Sequence, residues 1–389
     1  MRLTDVVLAG IGVTIPPHRC SSDQLECRLD PLYRRLKLPA GRLELMSGIA
    51  SRRLWNDPQK DSDAAKVVPS GPSIESGRAA LRAAEIDPET IGCLIHASVC
   101  RDFLEPATAS RVHHELRLPA KCWVYDVSNA CLGVLNGATQ IANLIQAGAI
   151  EAGIVVGTEN SGPLMEATIA ALNDDKSLTR RSVKPAFASL TIGSGSCAWL
   201  LTHRRLRPDA TSIDVAIANA NTKYHDLCLS DQDTAGAGMQ PLMETDSEAL
   251  MAQGIATGVA ALDDLLVEST WSRESIERTV CHQVGVRHQI AMLEAMGLTL
   301  ENDCTTYSAL GNTGSVALPL TVAAAIQSNR LMADHRTALL GIGSGINSVM
   351  MAARWGQTPV EGQWHGLLEE LAAAAGDVTR QTDSAVSVY

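Results

Sequence analysis

The sequence predicts a layered α/β protein built from two similar halves, and three observations carry that prediction. Apolar strand-like runs alternate with segments of helical spacing along most of the chain. The order strand Ile91–Ser98, helix Cys131–Ile145, strand Gly153–Gly157 recurs as strand Arg278–His282, helix Ser315–Ile326, strand Ala338–Gly343. Hydrophobic residues make up 46% of the 389 but aromatics only 3%, so the core must be Ala, Val, Leu, Ile and Met packed closely around glycine-rich turns. A chain of this length accommodates two fused halves, read here as residues 1–205 and 206–355, with 356–389 as a tail.

Val6–Val13 alternates small and β-branched residues before Pro16-Pro17 and reads as a first central strand. Ser21-Ser22-Asp23 offers the N-cap of a helix through Leu25, Leu29 and Leu32. Residues Lys60–Pro72 are polar and read as an exposed connection, after which Ile74–Ala84 returns to helical spacing and stops near Asp87-Pro88. Ile91–Ser98 is a buried strand, and Arg101–Leu116 a loop that enters a helix at Pro106. Cys122–Asp126 reads as a short buried strand and Val134–Ile145 as a buried helix. Glu166–Ala186, rich in Asp, Lys, Arg and Ser, reads as a surface excursion or lid. The tail past Trp355 is expected to be an appendage, with one amphipathic helix over His365–Ala375 and disorder from Asp377 to Tyr389.

Composition excludes several classes. A net charge of -11 opposes a phosphate-backbone partner, so no nucleic acid is expected. The ten cysteines contain no C-x-x-C pair, which fits neither a zinc site nor a compact disulfide framework. The N-terminal apolar run is broken at Asp5 and too short for a signal segment, and no run approaches the roughly 20 apolar residues of a membrane span. A cytoplasmic chain with reduced thiols is the expectation.

Three residues stand where chemistry is done. Cys131 lies where a strand turns into a helix, and the unpaired amides of a helix start stabilise a thiolate and hold an oxyanion. The plain alternative is a small buried cysteine. His282 ends a second-half strand, the place where open α/β sheets bind ligands, or else is a satisfied core imidazole. Asn312 lies between two glycines at a helix entry, where it could simply cap. In the repeat, however, Asn312 occupies the position of Cys131, so two equivalent helix starts would point into one space.

Ser128-Asn129-Ala130-Cys131-Leu132-Gly133, Cys281-His282-Gln283-Val284 and Gly311-Asn312-Thr313-Gly314 resemble the Cys, His and Asn motifs of the thiolase superfamily, in the branch of ketoacyl-acyl-carrier-protein synthase III. The likeness runs in family order from Leu3 to Trp355. It implies the five-layered αβαβα thiolase fold and a homodimer. It also implies coenzyme A or acyl-carrier-protein thioesters as substrates, no permanently bound cofactor and no metal. By the same resemblance Cys131 takes an acyl group, while His282 and Asn312 stabilise the enolate of a second thioester. Gly341-Ile342-Gly343-Ser344-Gly345-Ile346-Asn347 resembles the family's glycine-rich loop, which would add the Ser344 amide to that of Cys131 as an oxyanion hole. A turn that only lets the two halves pack closely is the alternative.

A narrower resemblance lies in Ser98–Ser110, where initiating synthases carry an aromatic residue before the proline and this chain has Glu105-Pro106. That substitution, with Pro31–Pro39 and Gly41–Ile49, is similar to the olefin-pathway thiolases, which join two long-chain acyl thioesters head to head. The likeness implies that Glu105 enters the neighbouring subunit's site as a base. A plain acyl thioester, unlike a malonyl donor, must have its α-carbon deprotonated, and a positioned base contributes roughly 10²–10⁴-fold. Burial in an apolar stretch would raise the Glu105 pKa towards that task. A solvated glutamate is the alternative. Two segments depart from the initiating synthases: Arg42–Ile49 lacks the adenine-stacking tryptophan, and Gln283-Val284-Gly285 replaces Gln-Ala-Asn.

The expected activity is therefore non-decarboxylative Claisen condensation of two acyl thioesters to a 2-alkyl-3-ketoacyl product. A malonyl-dependent synthase and an acyltransferase to an oxygen or nitrogen nucleophile are the rivals. A non-catalytic subunit is opposed by the intact Cys131, His282 and Asn312 set. An acyl carrier protein and downstream enzymes are the further partners this reading offers.

Overall fold

Val6–Thr14 (β1) is buried at all nine positions, as its small and β-branched residues require of a central strand. The computed structural model describes residues 1–57, 67–230 and 243–374. After the short strand His18–Ser21 (β2), Ser21 caps the first helix as expected. Its hydroxyl accepts from the Gln24 amide at 3.1 Å, and the Gln24 side chain accepts from the Ser21 amide at 2.8 Å. The expected single helix is two, Ser22–Arg28 (α1) and Asp30–Leu36 (α2), because Pro31 has no N–H for a continuous helix and fits a new first turn. Arg42–Ser47 (α3) and Ser51–Leu54 (β3, antiparallel to β2) follow. Ser70–Ala84 (α4) begins earlier than the expected Ile74, since Pro72 falls in the first turn where an amide has no intrahelical partner. The polar connection is correspondingly shorter, and its residues 60–66 lie outside the described residues.

The first half continues through Ile91–Ala97 (β4), Thr108–Leu116 (α5), Trp123–Val127 (β5), Gly133–Gln146 (α6), Ala152–Glu159 (β6), Gly162–Asp174 (α7) and Gly195–His203 (β7). β5 is not the buried strand expected. Among the described residues it is the sheet edge, paired only with β4, and Trp123 is 63% exposed. Nor is Glu166–Ala186 a mere excursion: Met165, Ile169, Leu172 and Val183 pack with Leu25, Leu29 and Leu32 of α1 and α2 in a separate small core. The polar residues between them mask that apolar set in the sequence.

The second half comprises Thr211–Ala220 (β8), Cys228–Ser230 (β9), Met243–Thr245 (β10), Ser247–Ser269 (α8), Arg278–Cys281 (β11), Val286–Met296 (α9), Tyr307–Leu310 (α10), Ala317–Gln327 (α11), Arg336–Gly343 (β12), Asn347–Arg354 (β13) and Val360–Gln363 (β14). The repeat is real at the level of pairing. β4 and β6 are parallel, then β7 and β1 follow antiparallel; β11 and β12 are parallel, then β13 and β8 follow antiparallel. The halves join where Val7 and Leu8 pair with Ser212 and Thr211.

α4 and α5 cover the outer face of the first half-sheet, with Ile74 and Leu81 packed on Leu94 and Ile154. α6 and α11 fill the middle layer, and α8 with α9 covers the outer face of the second half-sheet through Leu262, Leu265 and Met292. Helix, sheet, helix, sheet, helix is the five-layered arrangement. Small residues permit the close approach: a Cβ on Gly12 would stand 1.8 Å from the Ser76 carbonyl oxygen of α4. Among the described residues α8 is the one helix long and apolar enough to cross a membrane, a run the sequence count passed over; here its Gly258, Ala261, Leu262 and Leu265 are buried as it packs on β8 and β13.

The tail is not an appendage as far as residue 374. β14 pairs parallel with β1, the Thr358 hydroxyl donates to the Leu8 carbonyl at 2.8 Å, and a helix over 367–374 brings Glu370 to Arg19 and Arg53, each at 2.7 Å. The stretch 377–389 lies outside the described residues.

Candidate active site

β5 ends at Val127, and the turn Ser128-Asn129-Ala130 leads into α6 at Gly133, two residues beyond Cys131. Ala130 takes a left-handed φ of 44°, and the Leu132 amide donates back to the Asn129 carbonyl at 2.9 Å. The Asn129 side chain braces the turn from both sides, donating to Asn136 at 2.7 Å and accepting from Asn347 at 3.2 Å. Cys131 is half-buried. Burial first, and the Glu159 charge second, push its thiol up from 9.0 to about 12. A displacement of that size is roughly 4 kcal/mol. The ~0.3–2 kcal/mol of a helix terminus does not offset it. Cys131 therefore rests as a thiol, and the expected thiolate is not the resting state.

The β12–β13 turn, which carries Ser344, lies against this cysteine: a Cβ on Gly343 would stand 3.0 Å from the Leu132 side chain and 3.6 Å from the Cys131 amide nitrogen. The second helix start converges on the first. Asn312 stands two residues before the 3₁₀ turn Gly314–Val316 that opens α11, the same offset as Cys131 from α6. A Cβ on Gly133 would meet the Ser315 side chain at 3.4 Å, so the two starts touch. The Asn312 backbone is pinned by its amide to Thr191 and by its carbonyl to Gly193, both at 2.9 Å. Its side-chain oxygen accepts from the Gly314 amide at 3.0 Å, so it does cap its own turn. Among the described residues its Nδ2 group donates to nothing, which leaves that end for a ligand.

His282 follows β11, and its amide continues the pairing to the Leu340 carbonyl at 3.1 Å. Burial, then neighbouring His288, lowers its pKa to about 3, so the ring is neutral across ordinary pH. Gln283 couples this strand end to the Asn312 segment: its Nε2 donates to the Cys281 carbonyl at 2.7 Å, and its Oε1 accepts from the Thr306 and Tyr307 amides at 2.8 and 3.2 Å. Cys281 is 2% exposed and its thiol is pushed far up by burial, so it is the structural cysteine of the pair. In the departing segment Arg42–Ile49, the Arg42 guanidinium lies 6.0 Å from the Phe187 ring.

The burial expected around Glu105 is not supplied by its own chain. The residue is exposed at the tip of a loop with Phe103 and Leu104, which are 60% and 62% exposed. The loop is anchored on both sides of that tip. The Ser70 amide donates to Asp102 at 2.9 Å, and the Thr108 and Ala109 amides to Asp126 at 2.8 Å. No hydrogen bond or ion pair among the described residues joins Glu105 to Cys131, His282 or Asn312 of its own chain.

Three acidic or basic groups of the site lie outside the sequence motifs. Glu159 ends β6, is 5% exposed and contacts both loops of the site. Asp303 accepts from Thr279, Cys281 and Gln289 behind β11, and burial raises it to about 6. His288 lies beside His282 with a buried Nδ1 that has no hydrogen-bond partner among the described residues. The available signal for Glu159 was a carboxylate ending an apolar strand. Among the described residues no group of His, Cys, Asp and Glu is arranged to hold a metal ion.

Burial holds His96, His282 and His288 neutral, at about 4, 3 and 4. Each folded value lies below 6.5, so the unfolded chain takes up the proton first. Their stabilisation is complete above about pH 6.5 and is lost as pH falls, by about 2 kcal/mol each at pH 5. Asp303 acts in the opposite sense, because its raised folded value favours the native state at low pH and that gain is lost as pH rises through 6. The histidines win. Melting temperature should fall between pH 7 and 5 and fall less in His96→Gln; a flat profile would exclude this account.

Comparison with known proteins gives a consistent picture. The thiolase N-terminal domain matches residues 73–186, and the 3-oxoacyl-[acyl-carrier-protein] synthase III C-terminal domain matches residues 266–355. Acyl-CoA:acyl-CoA alkyltransferases of Shewanella oneidensis and Xanthomonas campestris pv. campestris are each 33% identical over 359 residues, 91% of this chain and 100% of theirs. Crystal structures of Xanthomonas campestris OleA, one with bound lauric acid and lauroyl-CoA, superpose with a TM-score of 0.83 at 31% identity. The match covers 91% of this chain and 98–100% of theirs.

Proposed function

The chain belongs to the acyl-CoA:acyl-CoA alkyltransferase family of thiolase-fold enzymes, and from that membership and the site geometry we propose that it condenses two acyl-CoA thioesters without decarboxylation, through an acyl group carried on Cys131. The observation that carries the reading is the convergence of the Cys131 and Asn312 helix starts in a chain whose loop before Pro106 presents a carboxylate. The Cys131 sulfur attacks the first thioester carbonyl, the carbon–sulfur bond to coenzyme A breaks, and the thiol proton leaves with coenzyme A. The amides of Cys131 and Ser344 hold the oxyanion of that step. A second acyl-CoA then loses an α-proton to Glu105, and its enolate oxygen is held by the neutral His282 ring and the Asn312 Nδ2 group. The α-carbon attacks the acyl carbonyl, the bond to Cys131 breaks, and the proton on Glu105 returns to the sulfur. The product is a 2-alkyl-3-ketoacyl thioester.

Glu105 serves the neighbouring copy's site in a homodimer. Support comes from its exposure in one chain, from the exposed Phe103, Leu104 and Trp123, and from the unpaired edge of β5. In the solved OleA structures the substituted residues include a cysteine and a glutamate as far apart along that chain as Cys131 and Glu105 are here. A cytoplasmic setting is part of this reading, in keeping with ten cysteines that contain no C-x-x-C pair. The pure protein should form product from acyl-CoA alone; a strict requirement for a malonyl thioester would transfer the reading to a decarboxylating synthase.

His282 and Asn312 are expected to act after acylation. Replacing either with Ala should leave the acyl-enzyme forming, by intact mass, while condensation falls about 10²–10³-fold. If His282→Ala stopped acylation as completely as loss of Cys131, the histidine would instead be the base that activates the thiol.

A further inference from the structure

Glu159 lies in none of the motifs, yet its carboxylate is bonded to both loops that carry the second half-reaction. Oε1 accepts from the Val99 amide at 3.1 Å, the Ser315 amide at 3.3 Å and the Ser315 hydroxyl at 2.6 Å, and Oε2 accepts from the Cys100 amide at 3.3 Å. Val99 and Cys100 open the loop that ends in Glu105, and Ser315 closes the one that holds Asn312. The side chain packs on Gly314, where a Cβ would come within 3.2 Å of it. Among the described residues no Lys or Arg forms an ion pair with Glu159, so a buried anion is held by neutral donors alone.

We propose that Glu159 is a positioning residue: one buried carboxylate that sets the spacing between the Glu105 loop and the Asn312 loop. Four donors converge on two oxygens, an arrangement a carboxylate satisfies and an amide does not, because the NH₂ of a glutamine would face a donor. The proposal rests on the condensation reading above.

Glu159→Gln, Glu159→Asp and Ser315→Ala test it with two readouts, acyl-enzyme formation by intact mass and condensation with acyl-CoA. Each variant should form the acyl-enzyme at close to the wild-type rate while condensation falls at least about tenfold. Glu159→Asp and Ser315→Ala carry the test if Glu159→Gln does not fold. Wild-type condensation in the folded variants, or loss of the acyl-enzyme together with condensation, would overturn the proposal. If wild-type protein acylates Cys131 but makes no condensation product, the functional reading fails instead.

Discussion

Cys131→Ala is expected to abolish turnover, with a loss on the order of 10⁴-fold or more, the scale on which removal of a covalent nucleophile acts. The thiol sits at the turn where β5 gives way to α6, with the Gly343-Ser344 turn against its amide, so an incoming carbonyl would meet sulfur and amide donors together. No other cysteine offers that combination. Cys281, next to His282, is 2% exposed on a paired strand, and burial and Asp303 hold it protonated. Wild-type protein mixed with acyl-CoA should gain one acyl mass on the peptide containing Cys131, and Cys131→Ala should gain none while melting close to wild type. An adduct on Cys281 would sink the assignment. Since burial and Glu159 push the Cys131 thiol up to about 12, iodoacetamide should label it slowly at neutral pH.

Glu105→Gln should still acylate Cys131 but lose condensation by about 10²–10⁴-fold, the contribution of a positioned general base. It should also fail to exchange the α-hydrogens of a bound acyl thioester with deuterated water. The variant keeps shape and removes basicity, so a binding role alone would leave the exchange intact. Exposure of Glu105 in the single chain makes a second outcome specific. A heterodimer of a Cys131→Ala chain with a Glu105→Gln chain holds one site with both groups if Glu105 crosses between subunits, and should regain about half the wild-type rate per dimer. Without complementation, Glu105 acts in its own chain. Condensation by Glu105→Gln at the wild-type rate would remove the main support for the non-decarboxylating mechanism.

Local patterns carried most of the site. The motifs at Cys131, His282 and Asn312 each combine a chemical residue with the end of a strand or the entry to a helix. Those positions were legible because hydrophobic period and glycine placement are properties of neighbouring residues. The repeat was legible for the same reason: strand, helix, strand is a local order, and it recurs in the pairing of β4, β6 and β7 and of β11, β12 and β13.

Long-range contacts decided the rest. Polar residues between Met165 and Val183 concealed a helix that packs on α1 and α2, since the apolar set is completed by leucines far earlier in the chain. β14 looked like a tail because a four-residue strand has almost no pattern of its own; its place comes from the free edge of β1. Glu105 stands in an apolar stretch that reads as buried, whereas Phe103 and Leu104 are exposed in the single chain, because apolar neighbours record composition and not whether the fold covers them. The sequence by itself determined which residues of chemical type stand at strand ends and helix entries, and in which of two halves each resides. Only the tertiary structure decided that Glu159 bonds to the loops carrying Glu105 and Asn312, because its partners stand about 60 and 156 residues away and no local period records a hydrogen bond across that distance.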